Sequence, residues 1–134
     1  NYHYVLWYDV ERTILVKHAS FPVMMPNIPV APRMIYLSSM ADHTEKYHQE
    51  IADYVIKHPE TKLVFQPGTF QMKLGTDVLK DIYTNTYAFF CNLEEAKRIL
   101  QTEETEIAML IKALHKLGPK IVVITDGING AYAS

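Results

Sequence analysis

Four short apolar runs recur along the chain, at residues 34–37, 63–65, 87–90 and 121–124, and a helical pattern fills each gap between them. This alternation constrains the fold more than any other feature. Runs that are apolar on both faces suit the interior of a parallel sheet. Parallel neighbours need crossover connections, which are right-handed and usually helical. Tyr47, Ile51, Tyr54 and Val55 fall on one helical face. Asp42 with Glu45 three residues later predicts the start of that helix through a capping box, and Pro59 predicts its end at His58. Thr76 is the predicted cap of a short helix carrying Val78, Leu79 and Ile82. Leu93, Ala96 and Leu100 line a third helix, and Ile107, Leu110, Ile111, Leu114 and Leu117 a fourth, closed by Gly118 at its C-cap with Pro119 behind it. The expectation is an α/β fold, a parallel sheet flanked by helices.

The first third of the chain reads differently. Residues 1–8 are rich in Tyr, Val and Trp, and residues 13–16 form a second strand-like run, with the polar four-residue stretch 9–12 between them. Together they predict an antiparallel hairpin. Such a hairpin is marginal in water and needs a partner surface. Pro22, Pro26, Pro29 and Pro32 then exclude helix or central strand. The chain therefore divides into residues 1–32, a hairpin with a proline-rich linker, and residues 33–134, the α/β part.

Composition narrows the function. A net charge of −2 gives no electrostatic case for nucleic acid or an anionic membrane. No apolar run approaches the ~18 residues a membrane span requires. The single Cys91 excludes an intrachain disulfide and fits a reducing, cytoplasmic compartment. The six histidines show no paired helical spacing for zinc, and neither a P-loop lysine pattern nor a Gly-x-Ser-x-Gly elbow occurs. Cys91, at a strand end, reads as a small buried hydrophobe.

Two stretches carry candidate chemistry. The run at 121–124 ends in Thr125-Asp126-Gly127-Ile128-Asn129-Gly130. Its glycines allow a tight turn and a close approach of backbone to a ligand, although taken alone a plain turn between two strands explains them. Asn92-Leu93-Glu94-Glu95 lies between the third run and the next helix. Asn92 as N-cap and Glu95 at the third helical position make a capping box. The same place is a natural anion site, since ligands of open α/β sheets bind outside the carboxyl ends of the strands. A carboxylate there can order the waters of a Mg²⁺ ion beside phosphates.

Taken in order, Asn92 and Glu95, then a helix, then Thr125, Gly127 and Gly130 resemble the middle of a ribokinase-like carbohydrate kinase of the phosphofructokinase B family. In that family an Asn-x-x-Glu motif touches the Mg²⁺-phosphate region and a Thr-x-Gly-x-x-Gly turn cradles the nucleotide. Glu11-Arg12-Thr13-Ile14-Leu15-Val16 is similar to the lid segment that crosses over the sugar. Phe65-Gln66-Pro67-Gly68-Thr69 resembles the strand-end Asn-Pro-Gly, with Gln66 where Asn is usual. His18 lies just after the lid strand and reads as solvent-exposed. The resemblance implies a ribokinase-like parallel sheet with a lid hairpin, and ATP-dependent phosphoryl transfer to a sugar or nucleoside hydroxyl. It implies ATP contacts by Asn92, Thr125, Asp126, Gly127, Ile128, Asn129 and Gly130, and Mg²⁺ support by Glu95. It makes the lid hairpin the surface through which a homodimer would form. The family's paired-glycine sugar motif and its Gly-Ala-Gly-Asp segment, which supplies the catalytic aspartate, have no counterpart in these 134 residues. No catalytic base is therefore assigned, and the chain reads as a central piece of a longer kinase, inactive alone. The competing expectation is a non-catalytic α/β module that binds a nucleotide or a partner.

Overall fold

A computed structural model describes residues 2–8, 11–17 and 21–134. Strands β1 (Tyr2–Tyr8) and β2 (Glu11–Lys17) pair antiparallel, with Tyr8 opposite Glu11. The second strand thus begins two residues earlier than the sequence suggested. Asp9, Val10 and His18 lie outside the described residues. Tyr2, Tyr4, Leu6, Tyr8 and Leu15 occupy one face of this ribbon, Val5, Trp7, Ile14 and Val16 the other, and all of them are exposed. The proline-rich stretch that follows has no regular structure. Its Met25 N–H donates to Glu50 Oε2 at 2.9 Å and its side chain packs on the core.

The α/β part runs β3 (Met34–Leu37), α1 (Glu45–Lys57), β4 (Lys62–Phe65), α2 (Thr69–Val78), α3 (Lys80–Asn85), β5 (Thr86–Asn92), α4 (Leu93–Leu100), α5 (Ile107–His115), β6 (Ile121–Thr125) and β7 (Ala131–Ala133). The sheet order is β3-β4-β5-β6-β7. The first four strands are parallel, and β7 returns antiparallel along β6. The fold is α/β, with a mostly parallel sheet beside an N-terminal antiparallel hairpin, as expected. Strand β7 follows the glycine turn, as the reading of a plain turn between two strands implies.

A steady strand order with crossovers of one hand puts every connecting helix on the same face. The packing agrees: α1 touches α3, α3 touches α2, α2 touches α4 and α4 touches α5. Under this layer lies one apolar cluster. Leu37, Leu63, Phe65, Phe89, Cys91, Val122 and Ile124 come from the sheet, and Ile51, Val55, Leu79, Ile82, Leu110 and Leu114 from the helices. Phe65, Tyr83 and Phe89 form its aromatic centre, with centroids 5.5 to 5.8 Å apart. No helix among the described residues is long and apolar enough to cross a membrane.

Several helix ends differ from expectation. Helix α1 has Thr44, not Asp42, as N-cap, and no side chain caps it. Asp42 instead accepts from the N–H of His43, whose φ of 59° breaks the entry. Helix α2 begins directly after Gly68 and breaks at Gly75 (φ 83°); Thr76 opens the segment after the kink, and Gly75, whose carbonyl accepts from Leu79 N–H at 3.3 Å, takes the cap position expected of Thr76. Helix α5 closes at His115 with Lys116 as its C-cap, and Gly118 follows in a last turn tightened by three-residue bonds, its N–H donating to His115 O at 3.0 Å. Gly118 has φ 129°, and a Cβ there would lie 2.4 Å from Thr84 Cα. Its glycine thus serves packing against the end of α3.

Candidate functional site at the carboxyl edge of the sheet

Strands β3 to β6 run the same way, so their carboxyl ends share one edge. Asn92, the last residue of β5, is the register partner of Thr125, the last residue of β6. Both candidate stretches therefore leave the sheet side by side.

Asn92 has extended backbone and ends a strand while opening a helix. Its Oδ1 accepts from Glu95 N–H at 2.8 Å, and its own N–H donates to Glu95 Oε2 at 2.9 Å. The capping box is complete. It leaves the Asn92 amide nitrogen and the second Glu95 oxygen without a protein partner among the described residues. Acidic residues in the first turn of α4 also suit the positive end of its dipole.

The turn after Thr125 is a 3-10 turn, Gly127–Asn129, linking β6 to the antiparallel β7. Three backbone bonds close it: Asp126 N–H to Gly130 O at 2.8 Å, Asn129 N–H to Asp126 O at 2.9 Å, and Gly130 N–H to Gly127 O at 3.2 Å. The Asn129 side-chain amide donates to Asp126 Oδ2 at 2.9 Å. Gly127 and Gly130 have φ of 49° and 99°, and a Cβ at either would meet nothing within 4 Å. These glycines answer to backbone conformation, with open space before them. Thr125 and residues 127–130 are exposed, and Ile128 projects fully into solvent. A solvated isoleucine at the tip of an ordered turn has no packing role.

The sequence reading missed Lys97. It lies one turn into α4, pairs with Glu94 at 2.9 Å, and is only 21% exposed. That hydrogen bond to Glu94 holds its ammonium above the ordinary lysine range, with further help from the charges of Glu94, Glu103 and Asp126. A cation thus sits within electrostatic reach of the glycine turn. The only sequence signal was its i,i+3 spacing from Glu94. Cys91, directly before Asn92, is buried, and burial with the nearby Glu95 charge pushes its thiol up to about 12.

Gln66 stands apart from this pair of turns. Its Oε1 accepts from the Tyr36 hydroxyl at the β3–β4 end of the edge. There Gln71 is buried and ties two turns together, accepting from Gly68 N–H at 2.9 Å and donating to Ser38 O at 3.0 Å. Among the described residues no three His, Cys, Asp or Glu converge to hold a metal. The donor set suits a hydrated ion beside phosphates, served by one carboxylate, and not a protein-caged one. At the opposite edge of the sheet a cleft carries Lys62 and Lys120. There the Lys62 ammonium lies over the Tyr87 ring, 4.1 Å from its centroid.

The sheet is thus a mostly parallel α/β one with a capped helix start and a glycine turn on adjoining strand ends. Residues 31–134 match the sequence profile described as pfkB family carbohydrate kinase, and the chain belongs to that family. No curated protein matches it. Among solved structures it is similar to a putative phosphomethylpyrimidine kinase from Bacteroides thetaiotaomicron, with 21% identity and TM-score 0.63 over 78% of this chain and 42% of that one. It is similar to the ribokinase of Arabidopsis thaliana, complexed with ribose and ATP, with 18% identity and TM-score 0.58 over 93% of this chain and 41% of that one. Pyridoxal kinase of Bacillus subtilis, solved as an ADP complex, gives 17% and 0.55 over 72% and 44%. The chain spans less than half the length of these three structures.

Proposed function

We propose that this chain is the central, nucleotide-binding part of an ATP-dependent kinase that phosphorylates a hydroxyl of a sugar or nucleoside. The observation that carries the reading is the pairing of Asn92 with Thr125. It sets a helix start with a free amide donor beside an open glycine turn, on the sheet edge where ligands of this fold class bind.

In this reading the backbone of Asp126, Gly127, Ile128, Asn129 and Gly130 and the Thr125 hydroxyl receive the nucleotide. The Asn92 amide donates to a phosphate oxygen, and the free Glu95 oxygen holds water of the metal. Mg²⁺, when bound, offsets the charge of the phosphates. The base that accepts the substrate proton belongs to polypeptide beyond these residues. Residues 1–32 then form a lid with its linker and residues 33–134 the partial nucleotide-binding core, in a cytoplasmic setting where ATP is the donor. The hairpin, apolar on both faces, would serve both as lid and as the contact between two copies.

Calorimetric titration of MgATP into the chain tests the reading. Saturable binding that Gly130→Val abolishes is expected. Absence of ATP binding would leave a non-catalytic module that meets a partner through the hairpin. The chain alone should not phosphorylate ribose, fructose or adenosine above the no-protein rate, because loss of the base commonly costs ~10²–10⁴-fold.

A further inference from the structure

The proline-rich stretch ahead of β3 is tied to the core at two levels. At the amino end of the sheet the buried Thr61 donates its hydroxyl to Pro32 O at 2.7 Å, and Lys62 N–H donates to Arg33 O at 3.0 Å. Higher up, Met25 N–H donates to Glu50 Oε2 at 2.9 Å, and the Met25 side chain packs on the apolar cluster. Glu50 lies near the middle of α1, about 10 Å along the helix from Lys57. Helix α1 leaves the carboxyl end of β3 and returns the chain to the amino end of β4. Residues 25–32 therefore climb α1 from the amino edge of the sheet toward the carboxyl edge, where the candidate site lies.

Met25 is a defined stop on this path. Pro22, Pro26, Pro29 and Pro32 carry no N–H. Of the remaining amides between Phe21 and Ala31, only that of Met25 donates to protein among the described residues. Its partner is a carboxylate, which makes the bond charge-assisted. The carboxylate is held in turn: Lys46 Nζ lies 3.8 Å from Glu50 Oε1, one helical turn away, and the Glu50 side chain is only 31% exposed. Pro26 disfavours helical backbone at Met25, and the prolines between the two ties stiffen the chain. Ahead of Met25 the contacts end. Phe21, Pro22 and Met24 are exposed, and residues 21–24 make no hydrogen bond among the described residues.

We propose that Glu50 is a positioning residue for the hairpin: it fixes the linker at Met25, so that residues 25–33 move with the core and the hairpin pivots ahead of Met25. The link between hairpin and core then spans residues 18–24 rather than 18–33. A shorter link raises the local concentration of the hairpin at the sheet edge it has to reach. That consequence for closure over a substrate rests on the function proposed above. The tether does not, and both readouts below are taken without nucleotide, so a failure to bind ATP and a failure of the tether are separate results.

Amide exchange and Trp7 fluorescence test it on the 134-residue chain. In the wild type the Met25 amide should exchange about 10-fold or more slowly than that of Met24, once corrected for intrinsic rates. Glu50→Ala should bring Met25 to the rate of Met24 and leave Leu63 and Phe89 as they were. Trp7 is the only tryptophan of the chain and is exposed on β1, so its anisotropy decay follows the hairpin. In Glu50→Ala the amplitude of the nanosecond decay should rise, while Tm moves by less than about 2 °C. Glu50→Gln keeps an acceptor oxygen in place and should restore both readouts. Met25→Pro deletes the donor without touching α1 and should free Trp7 equally, which decides the matter if Glu50→Ala does not fold. A wild-type Met25 amide that exchanges as fast as Met24 would overturn the proposal. So would unchanged Trp7 motion once Met25 has been freed, or a Glu50→Gln chain that matches Glu50→Ala in both readouts.

Discussion

His48 Nδ1 lies 2.6 Å from the carbonyl oxygen of Thr44, so that nitrogen carries the proton, and Nε2 is buried with no partner among the described residues. Burial holds this imidazole below its ordinary pKa of 6.5, against smaller opposing effects of the Thr44 bond and the Glu45 charge. The folded state therefore prefers the neutral ring, and the unfolded chain takes up a proton at higher pH. Stability from this group is complete above about pH 6.5 and falls as pH drops from there toward the lowered folded value. Thermal melts from pH 8 to pH 5 should show wild type losing Tm faster than His48→Asn, whose amide can keep the Thr44 bond. Parallel curves would mean that His48 takes up its proton as readily in the folded chain as in the unfolded one.

Gly130 is held at φ 99° and ψ −145°, in space open to a side chain. Gly130→Val should cost roughly 1–3 kcal/mol through backbone strain alone. Chemical denaturation measures that cost. A variant as stable as wild type would show that the turn relaxes freely.

Thr125→Val keeps shape and β-propensity while removing a hydroxyl that is exposed at the strand end. ATP affinity should fall by about 0.5–1.5 kcal/mol, with Tm unchanged. Titration calorimetry paired with melts reads both. Unchanged affinity would leave the hydroxyl without a role.

Glu95→Gln retains a side chain able to complete the box with Asn92, so the fold should hold, whereas Asn92→Ala should cost about 1 kcal/mol. In the proposed kinase Glu95→Gln should raise the Mg²⁺ needed for half-maximal ATP binding. An unchanged Mg²⁺ profile would make Glu95 a cap and nothing more.

Gly118→Ala should be among the costliest small substitutions. Its Cβ would meet backbone atoms, Thr84 Cα at 2.4 Å and Tyr83 O at 2.8 Å, which cannot swing aside. A loss above about 2 kcal/mol in urea melts is expected, and a smaller one would mean α3 and α5 separate easily.

The parallel strands were legible because central strands must be apolar on both faces, and residues 34–37, 63–65, 87–90 and 121–124 read so. The box at Asn92 was legible because capping is local chemistry. Other features depend on what lies elsewhere. Asp42 and Glu45 have the spacing of a capping box, yet the chain enters α1 through a left-handed His43 and the pattern goes unused. Gly118 has the position of a C-cap, but its constraint comes from Thr84, 34 residues away in sequence. Strand β7 was implied by the reading of 125–130 as a turn between two strands, but with three residues held by pairing to β6 it left no periodicity to mark its extent. At the site the turn residues could be named in advance. The proximity of Lys97 to Asp126 could not, since it depends on how α4 packs beside the end of β6.

Cys91 lies one residue from Asn92 and is buried, with its thiol pushed up to about 12. Alkylating reagents attack thiolates, so the folded chain should resist them until β5 opens. As the only cysteine in the chain, it makes the protein its own stopwatch. The rate at which an added disulfide reagent is consumed times the openings of this strand end without any engineered probe. A nucleotide that clasps Asn92 to Thr125 would slow that clock, even where it produces too little heat to measure.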